Sequence, residues 1–192
     1  MNGPSPTDLL VLHTVRLKGF ADTVAVAARF GLDPDQTREE LLDAQARGWI
    51  SRSSFGDLTG WSLSDLGYRH NEAQLRDELD RTGAHATVAA VHERFLPLNA
   101  RAAEVFTAWQ LGGGSPTHTL HLLADLADEL RHLERSLAAR LGRFAGYHDR
   151  FTAALARAND DPAWLTSIEV DSCHRVWFEL HEDLIATLGI AR

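Results

Sequence analysis

The stretch that decides the fold is ARGWISRSSFGDLTGWSLSDLG, residues 46–67. Gly48 ends a helical pattern, and WISRSS then alternates apolar and polar residues as a half-buried β-strand does. Gly56 and Asp57 supply the turn, after which GWSLS alternates again. Residues 49–64 are therefore predicted to form a β-hairpin.

Three short amphipathic helices are predicted before this hairpin. The first covers residues 7–18 with Thr7 as its N-cap, and the second begins after Asp22. The third begins after Asp33, its expected N-cap, and has acidic residues in its first turn, where they interact favourably with the helix dipole. Three helices joined by short turns predict a helix-turn-helix arrangement.

The order of three helices and a hairpin, with the segments ARGWISRSS and GWSLSDLGYRH, resembles winged-helix regulators of the MarR and PadR kind. The resemblance covers residues 7 to about 70. It implies an N-terminal winged helix-turn-helix domain, residues 1–70, that binds double-stranded DNA. Since MarR-like proteins dimerise through helices that flank the winged domain, it also implies a homodimer.

The remainder of the chain, residues 71–192, is predicted to be a helical domain for dimerisation and effector binding. Helices are expected over residues 64–81, 85–110, 117–141, 148–158 and 174–189, with the GGGSP loop of residues 112–116 as the clearest break. The predicted fold class is mainly α with a small β-hairpin: an N-terminal winged helix-turn-helix followed by an all-α helical domain.

A second resemblance extends over nearly the whole chain. The segments HERFLPLN, residues 92–99, and HRVWFELHEDLIATLG, residues 174–189, look like those of small actinobacterial proteins described as transcriptional regulators. These proteins pair a winged helix with a helical C-terminal part. The resemblance implies a regulator and names no ligand.

Two groups of residues are the predicted DNA contacts. Early positions of the third helix carry side chains that can reach base edges in the major groove, and the first hairpin strand carries side chains that can meet phosphates. The first group is Gln36, Thr37 and Arg38, and the second is Arg52 and Ser53.

The charge of this region does not favour DNA. Residues 1–70 hold seven basic and nine acidic side chains, and the whole chain has a net charge of −8. Neutralisation of phosphates supplies much of the affinity for DNA, so a monomer should bind weakly. Two considerations weaken this objection. Acids at helix starts can point away from DNA, and a dimer doubles the basic surface. A degenerate winged helix that contacts another protein is the alternative.

The last helix carries histidines on its apolar side. His174 and His181 lie seven residues apart within an apolar stripe that includes Trp177. That stripe is formed by Val170, Cys173, Trp177, Phe178, Leu184, Ile185 and Leu188. The polar side of the same helix is expected to carry Asp171, Arg175, Glu179 and Asp183.

The long helix over residues 85–110 has a similar pattern. His92 and Asn99 border its apolar stripe, and Gln110 continues the same sector. One hypothesis is a pocket for a small-molecule effector, lined by His92, Asn99, Gln110, His174, Trp177 and His181. The other is a core in which the buried polar groups bond each other and fix the helix register. The sequence leaves both open.

Other classes of site lack a sequence signal. His118, His121 and His132 share a side of one helix opposite its leucines, so a solvated face is expected and no metal site is predicted. No HExxH, GxSxG or phosphate-binding glycine loop is present, so neither an enzyme nor a cofactor is predicted. The single cysteine, Cys173, is expected to be a core thiol.

The N-terminus lacks the pattern of a signal peptide, and no run of 18 apolar residues occurs. A cytoplasmic protein without membrane contact is therefore expected. The functional expectation is a DNA-binding transcriptional regulator whose C-terminal helical domain forms the dimer and binds an effector.

Overall fold

A computed structural model describes residues 4–190 of the chain. In chain order these residues form α1 (Thr7–Lys18), α2 (Thr23–Phe30), α3 (Pro34–Ala46), β1 (Ile50–Phe55), β2 (Leu58–Leu63), α4 (Asp65–Thr82), α5 (His85–Gln110), α6 (Pro116–Ala138), a 3₁₀ helix (Gly142–Phe144), α7 (Tyr147–Arg157), α8 (Ala163–Thr166) and α9 (Cys173–Leu188). The described chain is mainly helical with one small antiparallel sheet, as the sequence predicts.

The chain divides into two compact units. The N-terminal unit contains the described residues up to Gly83 together with Gly189 and Ile190, and the C-terminal unit runs from Ala84 to Leu188. The division lies after α4, whereas the sequence pattern places it at residue 70. A glycine in the left-handed conformation, Gly83 with φ 61°, ends α4.

Side-chain caps explain where α2 and α3 begin. The Asp22 carboxylate accepts a hydrogen bond from a backbone N–H of the first turn of α2 at 2.7 Å, and Asp33 does the same for α3 at 2.9 Å. The prediction that Thr7 caps α1 is wrong. Pro6 is the capping residue, and Thr7 is already the first residue of the helix.

The β-hairpin is anchored to the helices by its second strand. β1 and β2 pair in antiparallel register around a two-residue turn at Gly56 and Asp57. On the other side of β2, Ala21 and Trp61 exchange two backbone hydrogen bonds of 3.2 and 2.8 Å. A short extended segment between α1 and α2 is therefore hydrogen-bonded to β2.

The core of the N-terminal unit lies between its first three helices and the hairpin. It contains Val11, Leu12, Val15, Ala21, Val26, Leu41, Ala44, Ile50 and Trp61. Trp61 is 4% exposed, and its indole N–H donates to the Thr23 hydroxyl at 3.2 Å. The hairpin is thus held by both backbone pairing and side-chain burial.

The Trp49 carbonyl joins α3, the hairpin and α4. It accepts hydrogen bonds from the Ser64 backbone N–H at 2.9 Å and from the Ser64 hydroxyl at 3.0 Å, and that hydroxyl is shared with the Gly48 carbonyl at 2.6 Å. Gly67 packs against the same oxygen so closely that an added Cβ would lie 1.9 Å from it. A side chain at position 67 would therefore force the hairpin and α4 apart.

The C-terminal unit is a bundle of helices in which α5, α6, α7 and α9 pack together. The prediction of an apolar face on α6 is confirmed, because its leucines at 123, 126, 130, 133 and 137 are fully buried. Pro97 lies inside α5 and is exposed, so it faces away from this core. The short helix α8 was not predicted.

Candidate functional site

The start of α3 exposes two of the three predicted DNA-contacting residues. Gln36 and Arg38 are exposed, whereas Thr37 is fully buried and its hydroxyl donates to the Asp33 carbonyl at 2.8 Å. The expectation that Thr37 is exposed is therefore wrong. Thr37 lies on the side of α3 that faces the core, whereas its neighbours Gln36 and Arg38 face outward.

Arg38 has a carboxylate beside it. Its guanidinium lies 3.7 Å from the Glu39 carboxylate, and the two side chains are 61% and 72% exposed. An ion pair this exposed stabilises the protein by at most about 1 kcal/mol. It nevertheless places a negative charge next to the one basic side chain within α3, which also carries Asp35, Glu40 and Asp43.

The hairpin presents a different surface. Arg52 is exposed on β1, with its guanidinium 5.5 Å from the centre of the Trp61 ring. Ser53 is half-buried, while Ser51, Ser54 and Thr59 are exposed, and the last two hydroxyls lie 2.9 Å apart. These exposed hydroxyls are not among the hairpin residues predicted from the sequence, Arg52 and Ser53, although strand alternation beside buried Ile50 indicates Ser51.

In the C-terminal unit, α5 and α9 meet along a seam of aromatic rings. The Trp177 indole N–H donates to the Asn99 side-chain oxygen at 3.0 Å, and the Trp177 ring stacks on Phe95 at 5.1 Å. His174 lies edge-on to Phe106 at 4.9 Å, and His181 is tilted against Phe95 at 5.4 Å.

The seam brings together four of the six predicted ligand residues. Asn99 and Trp177 bond each other across the seam, and Trp177 is buried. His92, His174 and His181 are half-buried, and Gln110 is exposed at the end of α5. His174 and His181 therefore reach the protein surface at the edge of the aromatic seam.

The expected polar side of α9 is buried. Glu179 and Asp183 are 1% and 0% exposed, whereas Phe178, predicted to lie in the apolar stripe, is 46% exposed. The prediction is wrong at these three positions. The side of α9 that carries the two acids packs against α7, which supplies partners for them.

A buried charge cluster explains how these acids are accommodated. It consists of Arg143, Tyr147, Arg150, Asp171, Glu179, Asp183 and Thr187. Arg143 on the 3₁₀ helix donates to Asp183, and both side chains are 0% exposed. The Tyr147 hydroxyl donates to the other Asp183 oxygen at 2.9 Å, and Arg143 also donates to the Thr187 hydroxyl at 2.6 Å.

Arg150 forms the outer half of the cluster. It donates to Asp171 through two nitrogens, at 2.7 and 2.6 Å, and to Glu179 at 2.6 Å. Burial alone would lower the pKa of Arg150, but its hydrogen bond to Asp171 and the charges of Glu179 and Asp171 outweigh burial and raise the pKa above its ordinary value. Arg150 therefore stays charged and ties the loop before α9 to α7.

The cysteine and the histidines of α6 lie in different environments. Cys173 is buried in the core as expected, and burial raises the pKa of its thiol to about 12. His118 and His121 are exposed and line an open surface depression with Ser115 and Asn159. Within residues 4–190, side chains able to ligate a metal do not gather in groups of three or more.

Comparisons with known proteins found no relative of this chain. No family model, curated protein or solved structure matches the chain. Of the helices in the described part of the chain, none is both long and apolar enough to span a membrane.

The charge cluster predicts a large loss of stability on Asp183→Asn. The substitution leaves the Arg143 guanidinium buried without its counter-charge, which should destabilise the protein by about 3 kcal/mol and lower Tm by on the order of 10 °C. Asp149→Asn is the matched control, because Asp149 is 90% exposed beside His148. Equal thermal unfolding of the two variants would contradict a stabilising role for the cluster.

His174 predicts a loss of stability in acid. Burial lowers the pKa of His174 from its ordinary value of 6.5. Because the folded pKa is below the unfolded one, the stability contributed by the neutral ring is present above about pH 6.5 and is lost as the pH falls. Wild type should therefore lose more Tm than His174→Gln between about pH 7.5 and pH 5. If Tm depends on pH in the same way in both proteins, His174 does not contribute to the loss of stability in acid.

Proposed function

We propose that this chain is a DNA-binding transcriptional regulator whose N-terminal unit is a winged helix. The observation that carries the proposal is the pairing of Ala21 with Trp61, which fixes the hairpin beside the three helices. A winged helix has this order of helices, short extended segment and hairpin, and it contacts DNA with α3 and the hairpin. Gln36, Arg38 and Arg52 are the exposed predicted contacts on these two elements.

The C-terminal unit is proposed to form a homodimer and to bind a small-molecule effector. Half-buried His92, His174 and His181 support the effector, because polar groups at the edge of an apolar surface give a ligand its orientation. Exposed Leu96 and Phe178, each 46% exposed, add apolar area that a second copy or an effector would cover. An effector could alter DNA binding only through different affinities for two arrangements of the dimer.

Charge limits how tightly a single copy could bind. The N-terminal unit, counted to Gly83, has nine basic and thirteen acidic side chains, a net charge of −4. Attraction must therefore come from individual exposed arginines rather than from the overall field. A dimer places twice as many such contacts on one duplex, so it can bind DNA even when each copy alone binds weakly.

The proposal predicts weak DNA binding that depends on salt. Fluorescence anisotropy with a labelled duplex from the DNA upstream of the coding sequence should show affinity falling between about 50 and 200 mM salt. The logarithmic slope should be about −2 to −4, as expected for two to four phosphate contacts per dimer. Absence of salt-dependent binding to this duplex would remove the DNA-binding function.

The dimer is tested separately. Sedimentation velocity at micromolar concentration should give a species of twice the chain mass of 21.2 kDa. A chain that stays monomeric over this range would contradict the proposed dimer while leaving the DNA measurement meaningful. Phe178→Ser should shift the equilibrium towards monomer if the exposed apolar side chains Leu96 and Phe178 belong to the dimer contact, with Ile168→Ser, at an exposed loop position, as the control.

One observation favours a second candidate, an adaptor that binds another protein. Asp35, Glu39 and Asp43 are exposed on α3, and Leu42 beside them is 43% exposed. An acidic helix face with an apolar residue suits a basic protein surface better than it suits a phosphate backbone. This candidate takes precedence if the duplex shows no salt-dependent binding.

A further inference from the structure

We infer that the β1–β2 hairpin meets the DNA backbone and that α3 stands away from the duplex. This inference rests on the proposed function and departs from the usual winged-helix geometry, in which α3 occupies the major groove. The two surfaces belong to one compact unit, so their charges can be compared directly. The two surfaces differ in whether their basic side chain has an acid close beside it.

On α3 the charges oppose DNA. Asp35, Glu39 and Asp43 follow one another at intervals of four residues, so they occupy one side of the helix over roughly 12 Å of its length. All three are exposed. A helix seated in the major groove would hold these carboxylates within one Debye length, about 8–10 Å, of phosphates, where salt screens their repulsion only in part.

Arg38 offsets only part of this repulsion. Its guanidinium lies 3.7 Å from Glu39, so these two charges largely cancel each other, and Asp35 and Asp43 remain without an opposite charge in α3. Thr37 is buried, which leaves Gln36 as the neutral polar side chain exposed at the start of the helix. The surface of α3 thus offers little attraction and a run of negative charge.

The hairpin offers the opposite balance. Its acid, Asp57, lies in the turn beyond the end of β1, and the three residue steps of extended strand from Arg52 to Phe55 alone span roughly 10 Å. This distance exceeds the Debye length at physiological salt, about 8 Å, so Asp57 cancels little of the Arg52 charge at a phosphate near Arg52.

The surroundings of Arg52 also suit a phosphate. Its guanidinium lies over the ring of buried Trp61, which limits its motion and leaves N–H groups at its edge for a bidentate contact. Exposed Ser54 and Thr59, which share the Arg52 face of the hairpin, add hydroxyl groups of the kind that bind phosphate oxygens. Such contacts carry no base information, so the inferred binding is governed by the shape and charge of the duplex.

Substitutions at the two arginines test the inference by anisotropy on two duplexes, the upstream fragment and a scrambled sequence of equal length. Arg52→Ala should weaken binding to both duplexes equally and make the salt slope shallower by about 1 per bound protomer. Arg52→Lys, which keeps the charge, should retain the slope. Arg38→Ala should weaken binding far less than Arg52→Ala does and should change the salt slope less, and thermal unfolding of each variant checks that it is folded.

A variant with α3 neutralised, carrying Asp35→Asn, Glu39→Gln and Asp43→Asn, gives a second measurement. If α3 stands away from the duplex, affinity should rise by less than about 2-fold, whereas a helix in the groove should gain on the order of 10-fold. The larger gain would overturn the inference. So would an Arg38→Ala loss as great as that of Arg52→Ala, or a Gln36→Ala loss confined to the upstream duplex.

The outcomes separate this inference from the proposed function. Wild-type protein that binds neither duplex overturns DNA binding itself, and the inference with it. Wild-type protein that binds with a normal salt slope, while Arg52→Ala binds equally well, overturns the hairpin contact and leaves the proposed function standing.

Discussion

The carbonyl of Trp49 is the contact on which the arrangement of the N-terminal unit depends. It lies where α3 passes into the hairpin, and both donors of Ser64 bond to it at the start of α4. Gly67 is required beside it because any Cβ would lie 1.9 Å from the oxygen. This junction fixes which sides of α3 and of the hairpin face outward, and therefore which charges a partner meets.

Arginine–carboxylate ion pairs have different roles in the two units. In the C-terminal unit, Arg143 and Asp183 are fully buried, and the hydroxyls of Tyr147 and Thr187 complete their hydrogen bonding. Such a pair is costly to break, because one partner alone would be a buried charge. On α3, Arg38 and Glu39 are exposed, so their pairing stabilises little and mainly reduces what Arg38 offers to DNA. Arg52 is exposed and lies far along the strand from the hairpin's acid, which makes it the basic group best placed to bind phosphate.

Local patterns predicted the elements well and the burial of polar residues poorly. Alternation around Gly56 and Asp57 located the hairpin, and aspartate caps located α2 and α3, because these signals act over a few residues. Thr37 lies four and seven residues before the apolar residues Leu41 and Ala44, so helical periodicity does indicate its burial, and the prediction that it is exposed overlooks this pattern. Asp183 was assigned to a solvated face because its partners, Arg143 and Tyr147, lie about 40 and 36 residues earlier in the chain. Contacts of this range leave no mark on the periodicity of α9.

The most direct test of the central claim is chemical-shift mapping of isotope-labelled protein titrated with a short duplex. The account predicts amide shifts that saturate with DNA and cluster at residues 51–59 of the hairpin, with small changes along the exposed side of α3. Salt should reverse these shifts, since phosphate contacts release counterions. Shifts concentrated on residues 35–43 would contradict the hairpin contact, and a spectrum unchanged by DNA would contradict DNA binding altogether.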